Sequence, residues 1–143
     1  EKAQEFYEKC LEINDEFVPA ANNLAYLLIE NGGNIDRALS LAQTAKRLSP
    51  DDPGVSDTLG WVLVQKNAYT SAIAHFEDAL DQLSTNPTIH YHMAVAHHRN
   101  GNLPTAKEHL ELALQKNAPF PEKDKAKSLL QEIEDTQAKK TNE

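Results

Sequence analysis

The sequence is poor in basic residues, contains one cysteine and has no long apolar run. It has 14 Lys and Arg against 22 Asp and Glu, which gives a formal net charge of -8. This balance argues against nucleic acid as a partner, because binding it requires Lys and Arg to displace condensed counterions. Cys10 is alone, so no internal disulfide can form. No segment approaches the roughly 18 apolar residues of a membrane span, so we expect no transmembrane helix.

The N-terminus lacks a recognisable targeting segment. Its first ten residues, EKAQEFYEKC, have neither the apolar core nor the small-residue cleavage site of a signal peptide. Their apolar spacing is typical of the middle of a helix. We therefore expect the chain to be a fragment, with any export or lipid-anchor signal upstream of it.

Motifs for catalysis and metal binding are missing as well. The sequence contains no G-x-x-x-x-G-K-[ST], no G-x-S-x-G, no G-x-G-x-x-G and no His-Glu-x-x-His. A catalytic site would need a nucleophile with a base, a pair of carboxylates in a cleft, or a phosphate loop. We predict a protein that is not an enzyme and that has no catalytic residue, no cofactor and no metal.

What the sequence does contain is an internal repeat. Placing residues 53–85 over residues 87–119 sets Gly60 over Ala94 and Phe76 over Leu110, with a spacing of 34 throughout. An earlier copy begins at Val18 once one extra residue is allowed in the turn NGGN. Residues 3–13 match the second half of a further unit. A fixed period of this length is typical of stacked helical repeats.

Each unit is predicted to form two helices, because apolar residues recur three and four positions apart. Asp52-Pro53 and Asn86-Pro87 are helix-start signals, since Asp or Asn caps free amides and proline fits the first helical position. The predicted helices are 2–14, 18–30, 35–48, 53–66, 69–83, 87–99, 103–117 and 121–138.

Stacked units of this kind predict an all-α, right-handed solenoid of helix pairs with a C-terminal capping helix. Residues 1–17 are the second helix of a truncated repeat. Residues 18–52, 53–86 and 87–120 form three units, and residues 121–143 form the capping helix and tail.

Over about residues 3–120 the sequence resembles the tetratricopeptide repeat family. The resemblance rests on the period, on the Leu-Gly pair, on the small residue and following aromatic of the second helix, and on the Ala-Leu ending. The resemblance implies that the first helices line a concave groove, which holds a peptide or a helix of another protein. The corresponding partner-binding positions are Asn22, Tyr26, Ile29, Asp57, Trp61, Gln65, Tyr91, Val95, His98 and Arg99. Whether the three aromatic rings face a partner or pack between neighbouring first helices stays open. The groove is apolar in its middle and acidic towards Asp57, so a segment with apolar anchors and positive charge suits it.

Histidine is concentrated in the third unit, which holds five of the six. The repeat frame predicts that His90 and His97 pack inside the helix pair, whereas His92 and His98 lie on the more open face of the first helix. His109 lies on a second helix. This spread over several faces argues against a zinc site, which needs three or four converging ligands. Protonation near pH 6 would raise the charge of this unit, but we expect no dedicated pH switch.

A narrower resemblance rests on DTLGW, IHYHMAVAHHRNGN and NAPFPEKDKAKSLLQEI, and above all on PFPE. These stretches look like the C-terminal part of bacterial tetratricopeptide-repeat lipoproteins of exopolysaccharide and PEP-CTERM protein-sorting systems. That implies a place in the bacterial periplasm or at the outer membrane; otherwise we expect the cytoplasm.

We therefore expect a non-catalytic interaction scaffold with a protein or peptide partner. One alternative is a self-assembling repeat module that associates through its exposed N-terminal helix. The other is a recruitment domain of a larger protein with catalysis elsewhere.

Overall fold

The computed structural model describes residues 1–143 and contains eight α-helices and no strand. The helices are α1 (Lys2–Ile13), α2 (Val18–Glu30), α3 (Ile35–Leu48), α4 (Pro53–Gln65), α5 (Tyr69–Gln82), α6 (Pro87–Arg99), α7 (Leu103–Leu114) and α8 (Lys123–Thr141). The pairs α2–α3, α4–α5 and α6–α7 pack against each other and against their neighbours. The predicted all-α solenoid of helix pairs is confirmed.

The helix starts follow from the capping residues. The Asp52 carboxylate accepts a hydrogen bond from the Gly54 amide at 2.8 Å, and the Asn86 side chain accepts one from the Ile89 amide at 3.1 Å. Each cap satisfies an amide that has no partner within its helix, and the proline after it needs none. These caps fix the start of α4 and α6, the two central first helices.

The turn inside each helix pair uses one left-handed residue. Gly32, Asn67 and Gly101 have φ angles of 66°, 60° and 83°, and they follow α2, α4 and α6. Glycine and asparagine are the residues that adopt this conformation most readily. The repeat therefore reproduces the same turn in each pair, which keeps the first helices on one side of the solenoid.

Small residues set the distance between the two helices of a pair. A methyl group added at Gly60 would lie 2.6 Å from Cε1 of Phe76, a ring with no exposed surface. One repeat later the same two positions hold Ala94 and Leu110, both fully buried. The larger side chain, Phe76, thus faces glycine, and the smaller side chain, Leu110, faces alanine. This pairing fills the space between the two helices without overlap.

The two ends of the solenoid differ. Ala126 and Ile133 of α8 are fully buried against the last pair, and Leu129 and Leu130 pack beside them, as predicted for a capping helix. By contrast, α1 contains no buried residue, and its Ile13 side chain is 88% exposed.

Among the eight helices, none has the length and apolar character needed to cross a membrane.

Candidate functional site

One groove lies at the N-terminal end of the concave face and has a volume of about 370 Å³. We call it the N-terminal groove. It is lined by Ala3, Tyr7, Asn22, Asn23, Tyr26, Leu27, Asp57, Thr58 and Thr88. The structure thus brings together three of the predicted partner-binding residues, Asn22, Tyr26 and Asp57. The Asn22 side-chain oxygen is inaccessible to solvent and accepts no hydrogen bond within the chain.

A second groove of about 500 Å³ lies between α6 and α8, and we call it the C-terminal groove. It contains the predicted residues Tyr91, Val95, His98 and Arg99. Its other wall is α8, through Asp124, Lys125, Ser128, Leu129 and Glu132. The sequence identified α8 only as a cap. Its role as a wall was missed, because the repeat template stops before this helix.

The remaining three predicted positions, Ile29, Trp61 and Gln65, line neither groove. Only 8% of Trp61 is exposed. Its indole N–H donates to Glu30 Oε1 at 3.0 Å, and its ring stacks on His92 at a centroid distance of 4.2 Å. Most of the Trp61 surface therefore packs between neighbouring first helices. Tyr91 is also only 8% exposed, and contact of either ring with a partner stays a prediction.

The expectation that His92 lies on the open face is wrong, because its side chain is fully buried. His92 Nδ1 lies 2.8 Å from the Asp57 carboxylate and donates to it, since a carboxylate only accepts. The curvature of the solenoid brings α4 and α6 close enough for Trp61 to cover this ring. A repeat template assigns residues to the faces of one helix, and it does not describe how the preceding unit covers them.

The buried carboxylate of Glu122 lies beside the N-terminal groove, where it contacts two of the lining residues, Tyr26 and Thr88. Glu122 Oε2 accepts from the Thr88 hydroxyl at 2.9 Å, and Oε1 accepts from the Tyr26 hydroxyl at 3.4 Å. The residue is 8% exposed, although it lies in the turn before α8. Sequence reasoning missed it as a site residue. The available signal was a glutamate inside PFPE, between a proline and the capping helix.

The electrostatics of this region are acidic. Burial and the nearby carboxylates of Glu30, Glu122 and Asp57 raise the pKa of the Tyr26 phenol far above its usual value. Burial and Glu122 also raise the pKa of Tyr91, against the opposing effect of Arg99. No lysine or arginine nitrogen lies within 4.0 Å of these three carboxylates. A cationic group entering the concave face would therefore meet uncompensated negative charge.

The histidines of the third unit are less dispersed than predicted. His90 is buried and His97 is half-buried inside the helix pair, as predicted, but both lie against His109 of α7. His90 and His109 are 3.0 Å apart between their Nδ1 atoms. No group of three or more His, Cys, Asp or Glu side chains has the arrangement of a metal site. The absence of a metal, a cofactor and a catalytic residue stays a prediction.

Comparisons with known proteins bear on the fold and family. A family model described as Tetratricopeptide repeat matches residues 63–133, and a second model with the same description matches residues 6–40. The first range contains the whole lining of the C-terminal groove, and the two ranges together contain most of the lining of the N-terminal groove. Among curated proteins, no match to the chain was found.

Several solved structures share the fold. MamA from Desulfovibrio magneticus RS-1 is 17% identical, with a TM-score of 0.75 over 96% of this chain and 75% of that chain. The Yersinia enterocolitica chaperone SycD, solved with a peptide of the translocator YopD, is 22% identical, with a TM-score of 0.71 over 88% of this chain and 98% of that chain. YrrB, a TPR protein with an unusual peptide-binding site, is 26% identical, with a TM-score of 0.64. That alignment covers 76% of this chain and 56% of YrrB.

Proposed function

Because the chain belongs to the tetratricopeptide repeat family, we propose that it is a non-catalytic scaffold that binds a peptide or a helix of a partner protein in its concave grooves. Two proteins of similar structure support this function. SycD was solved with a peptide of YopD, and YrrB has a peptide-binding site. Repeat solenoids offer such extended concave surfaces because each unit adds one helix to the same face.

The observation that carries the proposal is the polar chemistry around Tyr26. Glu30, Asp57 and Glu122 all act on its phenol, and none of them has a lysine or arginine partner. Asn22 contributes an acceptor oxygen without a donor in the same groove. The Asn22 oxygen is closed to solvent, so the exposed Glu30 carboxylate is the acceptor that a donor from a partner meets first.

The partner segment is therefore expected to carry a Lys or Arg that faces these acceptors. Leu27 in the N-terminal groove and Val95 and Leu129 in the C-terminal groove offer apolar contacts on either side. A segment with one cation and flanking apolar side chains satisfies both kinds of surface. Charge complementarity then sets the choice of partner and the association rate more than the affinity itself.

The test is a random peptide library displayed on phage and selected against the whole chain. Selected peptides are then titrated by calorimetry against wild type and Glu30→Gln. Glu30 is exposed, and glutamine keeps an oxygen for the Trp61 N–H, so the variant removes charge without removing that hydrogen bond. We expect basic residues to be enriched and Glu30→Gln to weaken binding about fivefold, in a salt-dependent manner.

Ser128→Arg blocks the C-terminal groove and serves as the second variant, since Ser128 is exposed on its wall. Arg47→Gln is the matched control, because Arg47 is exposed and pairs only with Glu16, outside both grooves. Peptides that bind wild type, Glu30→Gln and Ser128→Arg equally would show that the concave face is not the binding site. A library that enriches no sequence would also contradict the proposal.

The finer proposal places this scaffold in a bacterial envelope or exopolysaccharide assembly. Its support is the resemblance of PFPE and the flanking stretches to lipoproteins of those systems. Fractionation of the native cells tests it, with an antibody raised against this chain. Signal in the periplasmic or outer-membrane fraction is the expected result, and signal confined to the cytoplasm would contradict it.

Self-association is the second candidate function, and the exposed side chains of the N-terminal end favour it. Phe6 is 62% exposed, Ile13 is 88% exposed and Phe17 is 44% exposed. Several large apolar side chains exposed at one end of a molecule are typical of an interaction site. Sedimentation velocity over a range of concentrations tests it, with Phe6→Glu as the variant. A mass that grows with concentration in wild type and not in Phe6→Glu supports assembly, and a constant monomer mass contradicts it.

A further inference from the structure

The protonation state of His90 is fixed by its neighbours. His90 Nε2 lies 2.8 Å from the carbonyl oxygen of Ser84, in the turn between α5 and α6. A carbonyl oxygen only accepts, so Nε2 carries the hydrogen. A neutral His90 therefore presents a lone pair at Nδ1. This ring is only 5% exposed, and its tautomer is set by the backbone rather than by solvent.

The His90 lone pair in turn fixes the tautomer of His109. The two Nδ1 atoms are 3.0 Å apart, so His109 Nδ1 carries the hydrogen and donates it to His90. The result is a directed chain of two hydrogen bonds from α7 through α6 to the turn before α6. One added proton is tolerated on Nε2 of His109. A second proton on Nδ1 of His90 would set two N–H donors against each other.

Few charged groups face this pair. His97 of α6 stacks on His109 with ring planes 7° apart and centroids 5.8 Å apart. Glu77 of α5 acts on His97, and Lys116 shares a small cavity with His90. The acidic residues of α8 lie away from this pair, with Glu132 near His98 and Glu134 near Lys107.

These surroundings disfavour the charged imidazolium. Burial, followed by the neighbouring His90 and His97, lowers the pKa of His109 to about 4. Burial also lowers the pKa of His97 below its usual value, against the opposing effect of Glu77. The α6–α7 interface is thus built for neutral rings.

We propose that His90 and His109 form a proton-sensitive latch between α6 and α7, which holds the two helices together while both rings are neutral and is weakened by acid. The repeat frame does not predict this contact, because it compares equivalent positions and not the two helices of one pair. Tyr91 and Val95 of α6 line the C-terminal groove, so opening the latch also loosens that groove.

The pH window follows from the sign of the shift. A histidine whose pKa is lowered by folding contributes stability that is present above its unfolded pKa of 6.5 and is lost as the pH falls towards 4. Between pH 7.5 and pH 5.0, His109 alone would raise the unfolding equilibrium constant about 30-fold. Solvent reaches this half-buried ring and reduces the expected rise to about tenfold.

The first measurement is nitrogen-15 NMR of the imidazole groups in the wild-type chain at pH 7.5 and pH 5.0. We expect His90 to carry its hydrogen on Nε2 and His109 to carry its hydrogen on Nδ1 at the higher pH. Observation of His90 with its hydrogen on Nδ1, or of His109 with its hydrogen on Nε2 alone, at the higher pH would overturn the latch.

The second measurement is urea unfolding of wild type, His109→Gln and His98→Gln at the same two pH values. A glutamine amide donates to His90 Nδ1 at any pH, so His109→Gln removes the titration and keeps a donor. The unfolding constant of wild type should rise about tenfold more on acidification than that of His109→Gln. His98 lies on the other side of α6, in the C-terminal groove, so His98→Gln should follow wild type. Equal acid sensitivity in wild type and His109→Gln would refute the proposal.

Discussion

Replacing Gly60 by alanine tests whether the Gly60–Phe76 contact sets the spacing of α4 and α5. The added methyl group would lie 2.6 Å from Cε1, 2.8 Å from Cδ1 and 3.0 Å from Cζ of Phe76. The ring has no exposed surface, so it cannot swing out to solvent. The helices have to move apart, or the ring has to leave its preferred rotamer.

The expected cost combines two opposing effects. Overpacking of a well-packed core costs about 1–3 kcal/mol, and a 2.6 Å contact belongs at the upper end. Alanine in place of glycine inside a helix stabilises the helix by about 1 kcal/mol. We therefore expect Gly60→Ala to lower the free energy of unfolding by about 2 kcal/mol, as measured by urea denaturation with circular dichroism.

The next repeat supplies the compensating change, because it pairs Ala94 with Leu110 at the equivalent positions. Phe76→Leu alone should cost about 1 kcal/mol through lost contact. Gly60→Ala with Phe76→Leu should cost about 1 kcal/mol, less than Gly60→Ala alone, which is a favourable coupling of about 2 kcal/mol. If the double variant loses the sum of the two single costs, the reasoning about helix spacing is refuted.

Three further predictions concern stability. The raised pKa of Tyr26 contributes stability that is present below the ordinary tyrosine pKa of 10.0. That stability is lost as the pH rises through the pKa that Tyr26 has in the folded chain. The free energy of unfolding should therefore fall above pH 10.0. In Tyr26→Phe that alkaline fall should be smaller, and an unchanged fall would contradict the assignment. Ile133→Ala should lower the free energy of unfolding, measured by urea denaturation, by about 3 kcal/mol. Ile13→Ala, at an 88% exposed position, should change it by no more than about 0.5 kcal/mol. Equal losses in the two variants would contradict the burial of α8. Asn67→Gly, at a φ of 60°, should gain about 0.5 kcal/mol, and the control Asn100→Gly, at a φ of -84°, should gain nothing.

The sequence predicted the helices well, because each of them is defined by local chemistry. The bounds of α2, α3 and α6 are the predicted ones, since caps, prolines and turn residues mark their ends. Two helices differ. Helix α7 ends at Leu114 rather than at residue 117, because Asn117 adopts a left-handed φ of 48°. Helix α8 starts at Lys123 rather than at residue 121, because Glu122 turns into the concave face.

The candidate site was only partly predictable, because its geometry depends on contacts between units. Seven of the predicted residues line the two grooves, and the repeat template was sufficient to find them. The burial of His92 depends on the ring of Trp61 and the carboxylate of Asp57, which come from the preceding unit. Glu122 is brought to Tyr26 across 96 residues of sequence, a distance that no pattern of period 34 describes.

This long-range hydrogen bond bears on the elasticity of the molecule. A stack of units that touch only their neighbours extends and twists like a spring, since the small freedom of every interface adds to the total. Glu122 links two first helices across the concave face of the solenoid. Its carboxylate accepts hydrogen bonds from the hydroxyl groups of Tyr26 in α2 and of Thr88 in α6. The pitch of the coil is therefore restrained directly by one carboxylate. Separation of α2 from α6 requires these hydrogen bonds to break, so Glu122 restrains the width of the N-terminal groove.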